Sequence, residues 1–446
     1  MEPIQTITTL IFLVTIGLVI VRWIDSVVAA MLGVITMVVA GSMTEVQAFQ
    51  FVDWNVIAIL VSIWLIAGYF GKTGIPQYLA DMTLRISRGN IPLFITLIGT
   101  LSGFVSMFID NVVVVLMIAP IIFHIRKLYH FEGTGPILFI GLCSNFMGTA
   151  LLLGDLPPQM LHSVSGVEFL GFIWQFGRPS SFIILTMTYL VVVLFFYFKF
   201  SRSSLAQCVI DPKAAHVAVQ EPMEHIQNKR FAFIVCAVFL LTIIGMSLRQ
   251  VLGVKLGFIA FSGALLLVLI FELFKNSFRL DPPSLEEMLA ELDWKAIGFY
   301  VSLFALVGGL EHAHILKIVA DWLVPYIQSS LLLGVSILYW VTAPIVGIVE
   351  HDAYILTLLY VIRDLAQTHN IDPWPLYWGL VWAGTLGSNL TIAGAPALYV
   401  ALTMGEREDG RKWSLREFLG YSVPYVIISL VVCYILMILI WVLPFM

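Results

Sequence analysis

Charge is what this sequence has least of. Asp, Glu, Lys and Arg make up 11% of its 446 residues, against 60% hydrophobic ones. A soluble domain carries about 25% charge, so a soluble fold is excluded and an integral membrane protein is expected. Cysteine is scarce as well. Cys143, Cys208, Cys236 and Cys433 show no metal-ligand spacing and are expected to be free thiols. The net charge of −5 is small and no basic stripe is present, which excludes nucleic acid as a partner. HExxH, GxSxG, a paired-Asp motif and a P-loop are all missing. That argues against an intramembrane enzyme and against ATP as the driving force. Met1 to Thr6 has no basic n-region and no small-residue cleavage pattern follows, so the first apolar run is expected to stay as an anchor.

What the chain has instead is apolar runs and a repeat. Expected crossings lie at 8–21, 27–44, 54–71, 136–160, 181–198, 231–248, 256–274, 295–310, 376–402 and 420–444. Asp53-Trp54 recurs 240 residues later as Asp293-Trp294, Val61-Ser62 as Val301-Ser302, Gly68 as Gly308, and Ala80-Asp81 as Ala320-Asp321. At the same offset Asp110 falls on Glu350 and Gly154 on Gly394. A duplicated membrane protein with acids at matching places is the signature of a secondary transporter. The expected fold class is an all-α polytopic membrane protein of two inverted repeats. It would have about ten transmembrane helices, two re-entrant hairpins and two broken helices. Residues 1–198 form the first repeat, 199–230 a polar linker and 231–446 the second.

Two further apolar stretches, 92–127 and 330–366, are broken in the middle by charge: Asp110-Asn111 in one, Glu350-His351-Asp352 in the other. Charge at mid-bilayer is costly on a lipid-facing helix. Each stretch is therefore two short crossings or a hairpin whose tip stops inside the membrane. The short arms and the lack of Gly or Pro at the tips favour hairpins. Residues 75–85 and 315–325 follow the third helix of each half. They read as interfacial amphipathic helices, or as polar extensions of the preceding helix.

Lys and Arg are sorted by side. Eighteen of the 23, including Lys72, Arg126, Lys295 and Arg411, fall on one face. By the positive-inside rule that face is cytoplasmic and both termini are outside. A bacterial inner membrane is the expected setting, with lipid as the surrounding partner.

Segments 136–160 and 376–402 are apolar helices interrupted by Ser, Asn, Gly, Thr and Pro. Freed backbone groups in such breaks become ligands: N–H donors for an anion, carbonyls for a cation. Ser144, Asn145, Gly148, Thr149, Gly154 and Asp155 mark the first break; Ser388, Asn389, Thr391 and Gly394 mark the second.

Here the chain resembles the ion transporter superfamily. That group includes arsenite permeases, NhaD-type sodium/proton antiporters, citrate and dicarboxylate/sodium symporters, and the melanosomal P protein. Phe108-Ile109-Asp110-Asn111-Val112 resembles the antiporter hairpin tip. Ser144-Asn145-x-x-Gly148-Thr149 with Gly154-Asp155-x-Pro157-Pro158 resembles the arsenite permease and P-type segment. Gly387-Ser388-Asn389-x-Thr391-x-x-Gly394-x-Pro396 resembles its counterpart in the second half. The resemblance implies a scaffold part, a mobile part holding hairpin and broken helix, an elevator-like motion and a homodimer. Leu156 separates Asp155 from the Pro pair, and Gln159 stands where relatives often have Asn. Neither tip has the Ser-Asn-Thr signature of the dicarboxylate branch, and Glu350-His351-Asp352 stands where many relatives have uncharged Asn- and Thr-rich tips, which argues against dicarboxylate symport.

Electrostatics narrows the choice. Asp110, Asp155, Glu350 and Asp352 gather at the expected centre, and His351 is the one candidate cation in the tips and breaks. Carboxylates buried together hold protons or bound cations. No cofactor is implied, and the coupling ion is expected to be Na+ and/or H+. Asp110, Asn111, Asn145 and Asn389 are candidate Na+ ligands; the three Asn residues equally suit hydrogen bonds that hold the breaks together. Cation/proton antiport leads. An arsenite or anion permease, or a transporter-fold assembly factor like the magnetosome-associated branch, are the alternatives. Glu311, His312 and His314 resemble a metal cluster, but a solvated helix end is the simpler reading. Asp53 and Asp293 read as helix caps beside interfacial Trp residues.

Overall fold

A computed structural model describes residues 3–21, 24–129, 131–203, 205, 226, 228–274, 282–315, 318, 325, 330–347, 351–369, 371–392 and 394–445. Helices dominate these. The first half contains α1 (Pro3–Val21), α2 (Ser26–Val39), α3 (Glu45–Gln50), α4 (Trp54–Gly71), α5 (Ile75–Ser87), α6 (Ile91–Ser106), α7 (Asn111–Tyr129), α8 (Thr134–Gly148), α9 (Leu156–Ser165) and α10 (Ser181–Ser201). The second contains α11 (Lys229–Ser247), α12 (Arg249–Leu252), α13 (Leu256–Phe274), α14 (Leu285–Ala290), α15 (Trp294–His312), α16 (Leu331–Val346), α17 (His351–His369), α18 (Trp374–Ser388), α19 (Pro396–Asp409) and α20 (Leu415–Met437). Six of these helices are long and apolar enough to cross a membrane alone, α20 with its extension to Val442 among them. Large apolar side chains such as Phe233, Leu240, Phe258 and Phe261 face outward on α11 and α13, as a lipid-exposed helix requires.

The 240-residue offset reappears in the helix starts. Glu45 and Leu285, Trp54 and Trp294, Ile91 and Leu331, Asn111 and His351, Thr134 and Trp374, and Leu156 and Pro396 open matching helices. Local bonds repeat too. Trp54 Nε1 donates to Phe49 O at 3.1 Å, and Trp294 Nε1 donates to Leu289 O at 2.9 Å. The short helices α3 and α14 that receive these bonds escape sequence reading, because one or two turns carry too little periodicity.

Several boundaries need correction. The stretch 27–44 is helical only to Val39. The expected linker is shortened, since α10 runs to Ser201 and α11 starts at Lys229; residues 206–225 lie outside the described residues. Helix α5 is a separate element rather than an extension of α4, because Gly74 turns the chain at φ +77°. Its counterpart at 315–325 falls almost wholly outside the described residues.

Each broken helix is two helices. The first break spans 149–155 between α8 and α9, the second 389–395 between α18 and α19. The first charged stretch is a helical hairpin, α6 packing on α7; in the second, α16 and α17 flank residues 348–350, which lie outside the described residues. Arms α6 and α16 have 16 residues each, about 24 Å of rise where a bilayer core needs about 30 Å. The first tip is interior: Ser106, Met107, Ile109 and Asn111 are all buried.

The helices pack as two bodies. One comprises α1–α4, α11 and α13–α15; the other is built from α5–α10 and α16–α20. Within the second body the halves interleave: α17 packs on α9, and α19 packs on α7 and α8. Ion pairs respect the two faces read from the sequence. Lys72–Glu291 (2.6 Å), Lys295–Asp25 (2.9 Å), Arg126–Asp409 (2.9 Å) and Arg411–Glu132 (3.1 Å) lie on one. Arg249–Glu168 and Arg363–Glu311 lie on the other.

Candidate functional site

The hairpin tips and helix breaks meet in the interior. Asp110 is the cap of α7, its Oδ1 accepting from Val112 N at 3.0 Å and Val113 N at 3.2 Å. Next to it, Asn111 Nδ2 donates to Asn145 Oδ1 at 3.0 Å and to Asp155 Oδ2 at 3.3 Å. Asn145 Nδ2 in turn donates to Ser388 Oγ at 3.0 Å and Asn389 Oδ1 at 3.2 Å. Thr149 and Thr385 join hydroxyls at 2.6 Å. One polar chain thus ties the first tip to both breaks, through side chains that are almost all fully buried. The side-chain oxygens of Asn145 and Asn389 each accept a bond within it, so both asparagines hold the breaks together.

The remaining predicted residues fall around this chain. Thr391 Oγ1 donates to Gly347 O, fastening the second break to the end of α16. Gly154 and Gly394 let backbone approach backbone, and Gly148 sits against Asp155. Ser144 is fully buried and its hydroxyl has no hydrogen-bond partner among the described residues; the same holds for Ser106 at the first tip. His351 and Asp352 open α17, both 4% exposed, with Nε2 at 3.2 Å from Oδ1. Glu350 lies outside the described residues.

Removing the junction's centre tests its worth. Asn145→Leu keeps the branched four-atom side chain but leaves Asn111, Ser388 and Asn389 with unmade bonds. Melting in detergent should fall by an amount corresponding to about 2–4 kcal/mol. An unchanged melting temperature would show that the network carries no load.

A cavity of about 720 Å³ lies beside the junction. It takes in Asp110, Asn111, Asp155, His351 and Asp352 from the tips and first break. Opposite them stand Lys72 on the end of α4, Glu291 just after α14, and Asp293 and Tyr300 at the start of α15. Lys72 and Glu291 are 41% and 47% exposed in their side chains and stand at its mouth. The lining therefore holds five carboxylates against one lysine and one histidine. These carboxylates surround the space without converging: among the described residues no three His, Cys, Asp or Glu side chains are close enough to hold one metal ion.

Four helix N-termini also face the cavity: α7 through Asn111, α9 through Asp155, α17 through His351 and α19 through Pro396. Each end of a helix dipole is partly positive there. Asp110 and Asp155 cap the first two with their own carboxylates.

Sequence reading missed Lys72, Glu291, Asp293, Tyr300 and Thr385. Thr385 carried a signal, since it stands 240 residues after Asn145. Lys72 and Glu291 carried none, because they look like ordinary ends of membrane helices. Lys72, outside the tips and breaks where His351 is the one candidate cation, adds a second basic group to the cavity lining. Elsewhere, Cys143, Cys236 and Cys433 are free thiols, and Cys208 lies outside the described residues. The Glu311 cluster is a helix end: Glu311 pairs with Arg363, and His312 Nε2 stands 3.3 Å from Gln47 Nε2.

Comparison with known proteins decides the family. The profile described as "Citrate transporter" matches residues 16–383 and 284–445. The chain belongs to the citrate transporter family. It is thus a membrane transporter, and the superfamily resemblance read from the motifs holds. The family's reach is broad. The chain is 26% identical to an uncharacterised transporter of Mycobacterium bovis over 372 residues, 82% of this chain and 81% of that one. It is 24% identical to the 46 kDa membrane protein of Mycobacterium leprae, covering 96% of both. Human P protein is 22% identical over 97% of this chain and 59% of its own length. The fold is similar to the crystal structure of the YdaH transporter of Alcanivorax borkumensis, with a TM-score of 0.58 at 13% identity over 97% of each chain. It is also similar to MtrF of Neisseria gonorrhoeae, from a class of antimetabolite efflux pumps. There the TM-score is 0.53 at 12% identity, over 92% of this chain and 84% of that one.

Proposed function

We propose that this family member is an ion-coupled secondary transporter whose coupling ion, H+ or Na+, binds at individual carboxylates of the cavity, Asp110, Asp155 and Asp352, rather than in a cage of three. The observation that carries this reading is the imbalance of the cavity lining, five carboxylates against one lysine. Carboxylates held together away from water take up protons or metal cations. Cation/proton antiport uses that property directly, since both ions compete for the same groups. Lys72 and its face lie in the cytoplasm by the positive-inside rule. The cavity then opens inward, and residues 1–198 and 231–446 act as inverted repeats around it.

A second reading is supported by the helix N-termini and by the family's description as citrate transporters. The N-termini of α17 and α19 offer backbone N–H groups to an anion. Lys72 would meet that anion at the mouth, and cation or proton binding to the acids would offset their repulsion.

Proteoliposomes separate the two. A pre-formed pH gradient should dissipate when sodium, lithium or potassium is added, without any organic anion. If no cation moves protons but labelled citrate accumulates, antiport is wrong and the second reading stands.

A further inference from the structure

Asp53 and Asp293 do the same local task. Asp53 Oδ1 caps α4 through Asn55 N at 2.9 Å and Val56 N at 3.2 Å. Asp293 Oδ1 caps α15 through Ala296 N at 2.9 Å. Capping suffices to explain either residue from sequence. The structure adds an asymmetry. Asp53 uses its second oxygen, Oδ2, to accept from Ser163 Oγ on α9, so joining the two helical bodies. Asp293 spans nothing: among the described residues it accepts a hydrogen bond only from its own helix, and it lines the open cavity.

The repeat names the missing partner. Ser163 is seven residues after the first residue of α9, Leu156; seven residues after the first residue of α19, Pro396, is Thr403. The position is again a hydroxyl, 240 residues on, and Thr403 is exposed. The rest of the interface shares the asymmetry. At the Asp53 end the bodies touch, α4 on α9 and α15 on α17, with Arg363 bound to Glu311. At the Asp293 end a cavity lies between them, and α4 meets α7 beside it where Gly71 lies against Met117.

We infer that Asp53–Ser163 and Asp293–Thr403 are two alternating latches. When the halves exchange conformations, the first releases and the second forms, closing the cavity on the Lys72 face and opening it on the other. A transporter of two repeats reaches its opposite state by moving one bundle against the other around the site, which breaks contacts between the bodies at one end and makes them at the other. The inference rests on the transporter reading above and adds to it which residues hold each state.

The test uses the full chain in lipid vesicles. Asp53→Cys with Ser163→Cys should cross-link under a mild oxidant at rest. Asp293→Cys with Thr403→Cys should cross-link only as ions and substrate drive turnover. Peptide mapping identifies each bond. Either lock should stop transport, and reductant should restore it. Failure of the second pair to cross-link while the reduced variant transports overturns the inference. So does formation of both cross-links in one molecule carrying all four substitutions.

A second measurement needs no transport and so separates this inference from the transporter reading. Met117→Cys reports cavity access to a membrane-impermeant thiol reagent from the Lys72 face. Adding Ser163→Ala removes the latch and leaves the cap of α4 in place. Labelling should slow by about tenfold, the worth of one hydrogen bond to a carboxylate, and Ser163→Thr should restore it. Unchanged labelling with Ser163→Ala overturns the latch.

Discussion

Asp110→Asn is expected to cut cation-driven proton movement by about a hundredfold or more. The substitution is nearly isosteric. Asn is as good a helix cap as Asp, so the bonds from Val112 N and Val113 N that start α7 survive. What disappears is one negative charge in a cavity that the other carboxylates already make acidic. A cation at contact distance from a partly buried carboxylate gains roughly 4 kcal/mol, and about 2.7 kcal/mol already corresponds to a hundredfold in binding. The melting temperature in detergent should move little, which separates loss of an ion ligand from loss of fold. Full activity in Asp110→Asn would remove this residue from the ion path and leave Asp155 and Asp352 to carry it.

Gly154→Ala and Gly394→Ala are expected to abolish transport for a different reason. A Cβ on Gly154 would lie 2.0 Å from Ser106 O and 2.9 Å from the carbonyl carbon of Met107. On Gly394 it would lie 2.3 Å from Ser388 O and 2.8 Å from Val346 O. The obstacles are backbone atoms of the hairpin tips and breaks, which cannot rotate aside as a side chain would. Each tip must therefore back away from its break, opening the junction around Asn145. Overpacking of this kind costs about 1–3 kcal/mol, and displacement of the tip removes the site geometry even where the chain still folds. Gly17→Ala on α1 is the control, since nothing lies within 4 Å of its added carbon. Wild-type transport by Gly154→Ala would mean that the close approach of tip and break is dispensable.

The two glycines also show how much of the site was legible beforehand. Gly154 and Gly394 stand out in the sequence because they match at the 240-residue offset inside polar interruptions of apolar helices. Their task, letting tip and break touch, needed the coordinates. The asparagines behave likewise. Asn145 and Asn389 are marked by sequence as polar groups in the membrane, where the choice between ion ligand and structural link stays open. Their bonds to Asn111, Ser388 and each other favour the link.

By itself the sequence determined the membrane class, the helical fold, the repeat and the acids at the hairpin tip and break. Those are one-dimensional properties: run lengths set by bilayer thickness, spacing set by duplication, and charges too costly in lipid to stand there without use. Only the tertiary structure decided that Lys72, Glu291 and Asp293 face Asp110 and Asp155 across one cavity, and that Asp53 rather than Asp293 holds the two bodies together. Nothing in a helix's own residues says which distant helix its end will meet. That is set by packing between segments that lie far apart along the chain.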